Sequence, residues 1–273
     1  MIFIGTSSGA GKTTVAAMYC RYLFRNGVSV APFKASNLSS DAFITDDGGE
    51  IGMGQAFQAW ASGLKPVVDM NPILLKVTGG GKIEMMLNGV HHSLLTADKG
   101  MDVKVATDAA CAAFDRLSEN FDVVVCEGSG SPAELNLRER DIANLGMMRE
   151  RNISAVLVGD IERGGVFAAI YGTWLLIPKE FRMNLRGFII NRFRGDPTLL
   201  TSGIEKMEEL TGMKCFGIIP YMDLRFPEED SLSSPTGRID DANPIKMFID
   251  NLDLLIDTAL DNGLDLEGLK NLN

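Results

Sequence analysis

Short apolar runs alternate along most of the chain with stretches whose apolar residues recur at helical spacing. The runs fall at residues 1–4, 28–33, 123–126, 155–159, 187–191 and 215–219. None of them alternates apolar with polar positions, so each reads as a strand covered on both faces. Between them, residues 13–26, 54–62, 105–120, 166–176 and 197–211 carry helical periodicity, and Gly27 stops the first of these helices. Strand and helix taking turns in this way predict an α/β fold: a mostly parallel sheet with helices on both faces. Residues 37–104 break the rhythm. They contain Asp46-Asp47-Gly48-Gly49, Gly79-Gly80-Gly81 and a hairpin-like pattern at 83–90, and read as an insert that sets specificity. Beyond Leu232 the composition changes: 233–237 reads as a linker, and 244–260 as an amphipathic helix that packs back on the domain or meets a partner.

The first strand leads into the strongest chemical signal, Gly5-Thr6-Ser7-Ser8-Gly9-Ala10-Gly11-Lys12-Thr13-Thr14, followed by a helix. Backbone N–H groups freed by glycines at a helix N-terminus converge on an anion. A lysine there reaches the β- and γ-phosphates, and the hydroxyl after it sits where a P-loop holds Mg²⁺. The spacing is a variant of G-x-x-x-x-G-K-[ST], because the first position is Thr6 and the glycine lies one residue earlier. A plain glycine-rich turn would not need the lysine and threonine. The segment predicts a nucleoside triphosphate cradled by Gly9, Ala10, Gly11, Lys12, Thr13 and Thr14, with Thr13 also on the metal.

At 273 residues, 45% of them hydrophobic, the chain can bury one large α/β domain or two small ones. The formal net charge of −10 argues against non-specific nucleic-acid binding. Met1 leads straight into the first strand, and no apolar run approaches the roughly 18 residues of a membrane span, so a cytoplasmic protein without a membrane partner is expected. Cys20, Cys111, Cys126 and Cys215 are scattered without a C-x-x-C pair and read as reduced core residues. His91 and His92 are adjacent in the insert and read as surface residues.

Other candidates stand where strands end, the edge at which doubly wound sheets bind ligands. Lys34 follows the second strand, as a second cation for a phosphoryl group or substrate carboxylate, or as a solvated lysine. Asp46, Asp47 and Glu50 crowd one loop, where one could meet Mg²⁺ and an acidic surface loop is the commoner explanation. Glu127 ends an apolar strand, where a charge needs a cation or donors nearby, and reads as a ligand of metal or metal-bound water. The charged segment 131–144 alone reads as a solvated helical face, and 160–165 as an anion site or a turn. Asn191 ends the fifth strand, where an amide could read an adenine edge beside Arg192 and Arg194. No glycine-flanked nucleophilic cysteine with a downstream histidine appears, so glutamine hydrolysis by this chain alone is not expected.

Taken together, the glycine-rich loop, Ala31-Pro32-Phe33-Lys34, Asp47-Gly48-Gly49-Glu50-Ile51-Gly52, residues 69–76, Glu127-Gly128-Ser129-Gly130, Arg140-Asp141-Ile142-Ala143-Asn144, residues 160–168, 191–196 and 227–232 resemble the N-terminal synthetase domain of the cobyric acid synthase family. The resemblance spans residues 1–232, and dethiobiotin synthetase shares the domain type. It implies a P-loop NTPase fold and amidation of corrinoid side-chain carboxylates through an acyl phosphate, driven by ATP with Mg²⁺. In that scheme Lys12 and Lys34 offset phosphoryl charge, Thr13, Asp47 and Glu127 hold Mg²⁺, Asn191 recognises adenine, and Asp141 orients the substrate carboxylate or ammonia. A homodimer is expected. Two departures stand out. The family's glutamine amidotransferase domain is missing after 232: either the sequence is a piece of a longer protein, or ammonia comes from solution or from a separate glutaminase subunit. Ala35-Ser36-Asn37-Leu38 replaces the usual Pro-Gln-Asn-Met, and 77–81 replaces a more polar segment. The competing readings are a dethiobiotin synthetase-like ligase acting on a small diamine and a P-loop ATPase switch. The second of these usually carries another lysine before Gly11, and Ser7 to Ala10 offer none.

Overall fold

The computed structural model describes residues 1–78, 82–96, 100–223 and 244–272; the expected linker at 233–237, the glycines at 79–81 and the 227–232 motif lie outside them. Along the chain, β1 (Ile2–Gly5) leads through α1 (Lys12–Arg25) to β2 (Val30–Phe33). The insert then holds β3 (Ser36–Ser39), β4 (Ala42–Ile44), β5 (Glu50–Gly52), α2 (Met53–Ala61), β6 (Ile73–Thr78), β7 (Lys82–Leu87) and β8 (Val90–Leu95). After it come α3 (Val103–Asn120), β9 (Val123–Glu127), α4 (Met147–Arg151), β10 (Ala155–Asp160), α5 (Val166–Leu176), β11 (Leu185–Phe193), α6 (Thr201–Thr211), β12 (Lys214–Pro220), α7 (Pro244–Asp261) and α8 (Leu266–Lys270).

Six of these strands make the expected sheet, in the order β12-β11-β10-β1-β9-β2, and every pairing in it is parallel. Successive side chains of a strand point to opposite faces, and here both faces are core. Ile2, Ile4, Val124, Cys126, Ala155 and Leu157 pack under α3, α4, α5 and α6, whereas Phe3, Val125, Val156 and Val158 pack under α1, α7 and α8. That two-sided burial is why the strands are unbroken apolar runs. The strand order reverses at β1, with β9 on one side and β10 on the other. Loops leaving the carboxyl ends of these three strands therefore diverge and leave a crevice, the usual ligand position of an open α/β sheet.

The insert is more regular than its sequence suggests. β3 pairs parallel with β6, Ser36 opposite Ile73, and β7 and β8 extend this second sheet antiparallel, while β4 and β5 form a separate hairpin. Its outer strand β8 is largely exposed and lacks an apolar face, which hid it from periodicity. Of the two fates open to the last amphipathic helix, α7 takes the first. Its Phe248 lies 4.9 Å from the Phe57 ring of α2, and Asp253 takes a two-pronged bond from Arg21 of α1, both arms 2.8 Å. The short α8 behind it went unforeseen. The four cysteines are free, and burial pushes the thiols of Cys20 and Cys126 up to about 12, as expected of inert core residues. Both histidines are exposed on β8, and among the described residues no helix is long and apolar enough to cross a membrane.

Candidate active site

The glycine-rich loop between β1 and α1 takes backbone turns that only glycine adopts easily, with φ of 72° at Gly9 and 92° at Gly11. Such a loop ahead of a helix aims successive N–H groups at one point and forms an anion-binding nest. Neighbouring strands clamp it from the side. Asn191, two residues before the end of β11, donates from Nδ2 to the Ala10 carbonyl at 2.9 Å, and its Oδ1 accepts the Arg192 N–H at 2.9 Å. The clamp is close: a Cβ on Gly11 would fall 2.1 Å from Asn191 Nδ2. Arg192 has a left-handed backbone at φ 62° and bridges the Gly9 carbonyl (3.1 Å) and Asp160 of β10 (2.9 Å). Lys12 is buried and bends back over the loop to donate to the Ser7 carbonyl at 3.3 Å. Thr13 and Thr14 occupy the first turn of α1.

Glu127, at the carboxyl end of β9, is the centre of the arrangement and is only 1% exposed. Its Oε1 accepts the Thr13 hydroxyl at 2.8 Å and the Lys34 ammonium at 2.9 Å. Its Oε2 accepts Gln58 Nε2 at 2.6 Å, with Gln55 Nε2 at 3.5 Å. Burial alone would push this carboxyl up; the charges of Lys34 and Lys12 and the donated hydrogen bonds outweigh burial and hold it below its ordinary value. Glu127 is therefore an ionised carboxylate inside the protein, tied to the first hydroxyl after the phosphate loop. The solvated-lysine reading of Lys34 is overturned, since its side chain is 2% exposed and paired with that acid.

A polar shell fixes these groups. Asn71 donates to the carbonyl of Lys34 at 2.9 Å and accepts the Gly52 N–H at 2.9 Å, locking the end of β2 to the start of α2. Asn144 donates to the Ser129 carbonyl at 2.7 Å, and its Oδ1 lies so close to Gly128 that a Cβ there would sit 1.9 Å away. Asp141 serves as an N-cap for the wide turn Ile142–Gly146, accepting the N–H groups of Asn144 and Leu145, and burial raises its carboxyl pKa. The structure thus gives Asp141 a local task, holding the residue that holds the Glu127 loop. Asp47 is exposed, and its hydrogen bonds stay within its own turn, to Thr45 and Gly49; Asp46 pairs with Lys65 at 2.8 Å on the surface. Neither shares a hydrogen bond with Thr13 or Glu127, and the described residues contain no cluster of three or more metal-ligating side chains.

Sequence reasoning missed Gln55 and Gln58. Their signal was present: two carboxamides three residues apart in a helix otherwise made of small and apolar residues, with no charge to draw that face to solvent.

Chemically, the loop can hold a polyphosphate, two buried lysines can offset its charge, and a hydroxyl and carboxylate oxygen side by side suit a hard cation. A parallel sheet carrying this loop at β1 and this acid on the neighbouring strand defines a P-loop nucleotide-binding protein. The chain belongs to the family of the CobQ/CobB/MinD/ParA nucleotide binding domain, CbiA, whose model matches residues 1–232. It is 47% identical over 234 residues to a probable cobyric acid synthase of Methanoregula boonei, covering 85% of this chain and 49% of that protein. With the probable cobyric acid synthase of Methanococcoides burtonii it shares 43% over all 273 residues, 54% of that protein, and with the cobyric acid synthase of Corynebacterium efficiens 45% over 242 residues, 87% of this chain and 49% of that protein. The chain spans about half the length of these relatives.

Proposed function

We propose that this chain carries out the ATP-dependent, amide-forming half-reactions of a cobyric acid synthase, converting side-chain carboxylates of a corrinoid to carboxamides. The observation that carries the reading is the convergence of Lys34, Lys12 and Thr13 on buried Glu127 at the mouth of the phosphate loop. The similarity to cobyric acid synthases supports the substrate class.

A carboxylate does not yield an amide directly, because oxide is too poor a leaving group. In the proposed sequence a substrate carboxylate oxygen attacks the γ-phosphorus of ATP and the bond to the β-bridging oxygen breaks, releasing ADP and leaving an acyl phosphate. The nitrogen lone pair of ammonia then attacks the acyl carbon, the bond to the phosphate oxygen breaks, and a proton leaves from nitrogen as inorganic phosphate departs. Little covalent work falls to the protein, so positioning and charge neutralisation dominate. The loop N–H groups of Gly9, Ala10 and Gly11 hold the phosphates, with Thr14 in the first helical turn behind them. Lys12 and Lys34 offset the negative charge of the moving phosphoryl group, and Asn191 keeps the loop in shape on the side assigned to adenine. Thr13 and Glu127 fit Mg²⁺ by donor type, and Asp47 is the third expected oxygen; the ion supplies charge neutralisation on the phosphates. Asp141 acts through Asn144 in aligning the Glu127 loop toward the substrate carboxylate. Ammonia comes from solution or from a glutaminase domain or subunit, and the reading includes a cytoplasmic homodimer.

The test combines the chain with ATP, Mg²⁺, ammonium and cobyrinic acid a,c-diamide. Phosphate release matched by the small mass decrease of hydroxyl replaced by amino supports the proposal. Turnover with diaminopelargonic acid and bicarbonate instead would assign the chain to dethiobiotin synthetase-like chemistry, and ATP-driven dimerisation without any product would make it a switch.

A further inference from the structure

The described residues contain three buried side-chain oxygen or nitrogen atoms without a hydrogen-bond partner: Gln55 Oε1, Gln58 Oε1 and Asn144 Oδ1. All three belong to side chains that touch Glu127 or the loop leaving it. Both glutamines are fully buried. A stranded buried acceptor is destabilising, and leucine or methionine would fill a helix face such as that of α2 without that cost. The amides cannot escape by flipping, because a flip would set Oε1 against the Oε2 of Glu127. They are donors committed to an ionised carboxylate.

The geometry divides Glu127 into two faces. Oε1 meets Thr13 and Lys34, the groups that the proposed reaction engages with nucleotide and metal. Among the described residues Oε2 meets only the glutamines, and Gln58 Nε2 also lies 3.3 Å from the Thr13 carbonyl, which ties the acid to the first turn of α1. Resting on the ATP and Mg²⁺ reading above, we propose that Gln58, assisted by Gln55, is the positioning residue that grips Oε2 of Glu127 and thereby reserves Oε1 for exchange between the Lys34 ammonium and a divalent cation. When Lys34 turns to the phosphoryl group, the carboxylate keeps its place because its other oxygen is already held. The glutamines do this without adding a charge that would compete with the metal.

The experiment uses the chain with Gln58→Met, and Gln58→Leu in case the first variant packs poorly, in calorimetric titrations and thermal melts. The ligand is the β,γ-imido analogue of ATP, with and without Mg²⁺. Losing a hydrogen bond to a charged acceptor should raise the Mg²⁺ concentration at half-saturation about tenfold or more. Affinity for the metal-free nucleotide should change less than twofold on a loop left intact, an expectation at the scale of a few tenths of a kcal/mol. The ligand-free melting temperature should fall, because the buried carboxylate loses a donor, and the added protection from Mg²⁺ with nucleotide should shrink as well. In turnover, kcat should fall with little change in the KM for ATP. A merely structural glutamine would lower the ligand-free melting temperature and leave the Mg²⁺ midpoint unchanged; an unchanged midpoint overturns the proposal whatever the melting temperature does. These readouts need no corrinoid, so a wrong substrate assignment leaves them standing. If the unmutated chain binds neither form of the nucleotide, the ATP reading falls and this proposal with it.

Discussion

Replacing Lys34 by methionine removes the ammonium while keeping most of its stem, and it strands Glu127 inside the protein. At the observed 2.9 Å, with an effective dielectric of about 20, the pair attracts by about 6 kcal/mol. Desolvation of two buried charges consumes much of that, so the pair itself adds little net stability; the large effect comes from leaving one charge behind, typically about 3–5 kcal/mol. Glu127 keeps the Thr13 and Gln58 donors and the charge of Lys12, which places the expected loss at the lower end, about 3 kcal/mol. Glu127→Gln should cost about the same, because it strands Lys34. The double variant strands neither. It should cost no more than either single change, giving a coupling energy of about 3 kcal/mol, the upper end for groups in direct contact. Urea unfolding followed through Trp60 and Trp174 fluorescence measures all four proteins of the cycle. Additivity of the two single losses, with a coupling below about 0.5 kcal/mol, would refute the claim that these charges answer each other.

Lys12→Ala should abolish phosphate release while costing the fold no more than about 1 kcal/mol, since Asn191 and Arg192 hold the loop independently; retained turnover removes Lys12 from the mechanism. Gly11→Ala forces a Cβ onto a left-handed residue and against Asn191 Nδ2, so a loss of about 1–3 kcal/mol and of nucleotide affinity is expected. Wild-type calorimetric binding by that variant would refute the cradle. Asp253 is held below its ordinary 3.8 chiefly by its hydrogen bond from Arg21, against an opposing effect of burial. A depressed native pKa stabilises above the unfolded value and is lost as pH falls through the native one. Asp253→Asn should therefore be less stable by about 1 kcal/mol at neutral pH, with the difference closing below pH 3.8; a constant gap across a pH series of urea melts would contradict this.

The sheet was legible because its information is local. A strand buried on both faces must be apolar at every position, and a phosphate loop needs its glycines, lysine and threonine in a single run. Residues 166–176 match α5 from end to end, and the expected β1 and α1 boundaries differ from those observed by a single residue at each end. The polar interior is different, since its partners meet across long stretches of chain. Thr13 reaches Glu127 over 114 positions and Gln58 reaches it over 69, so each glutamine looks locally like an odd polar residue in an apolar helix. Glu127 could be inferred only as a charge in need of company, without naming the company.

The same distances change the role of the insert. Lys34 stands between β2 of the main sheet and β3 of the second sheet, its backbone bonded to Met70 and Asn71 at the threshold of β6. The β5 strand feeds directly into α2, whose buried face delivers Gln55 and Gln58 to Glu127. A region whose irregular sequence suggests specificity therefore also supplies or fixes three of the side chains around the central carboxylate. Change in the insert cannot be confined to substrate choice, because a shift in the β3–β6 pairing moves Lys34 and a shift of α2 moves the Oε2 donors. This coupling gives a physical reason for the insert to fold as an ordered sheet: the cation exchange proposed at Oε1 requires Lys34 and Gln58 to be held by the same piece of structure while only one of them moves.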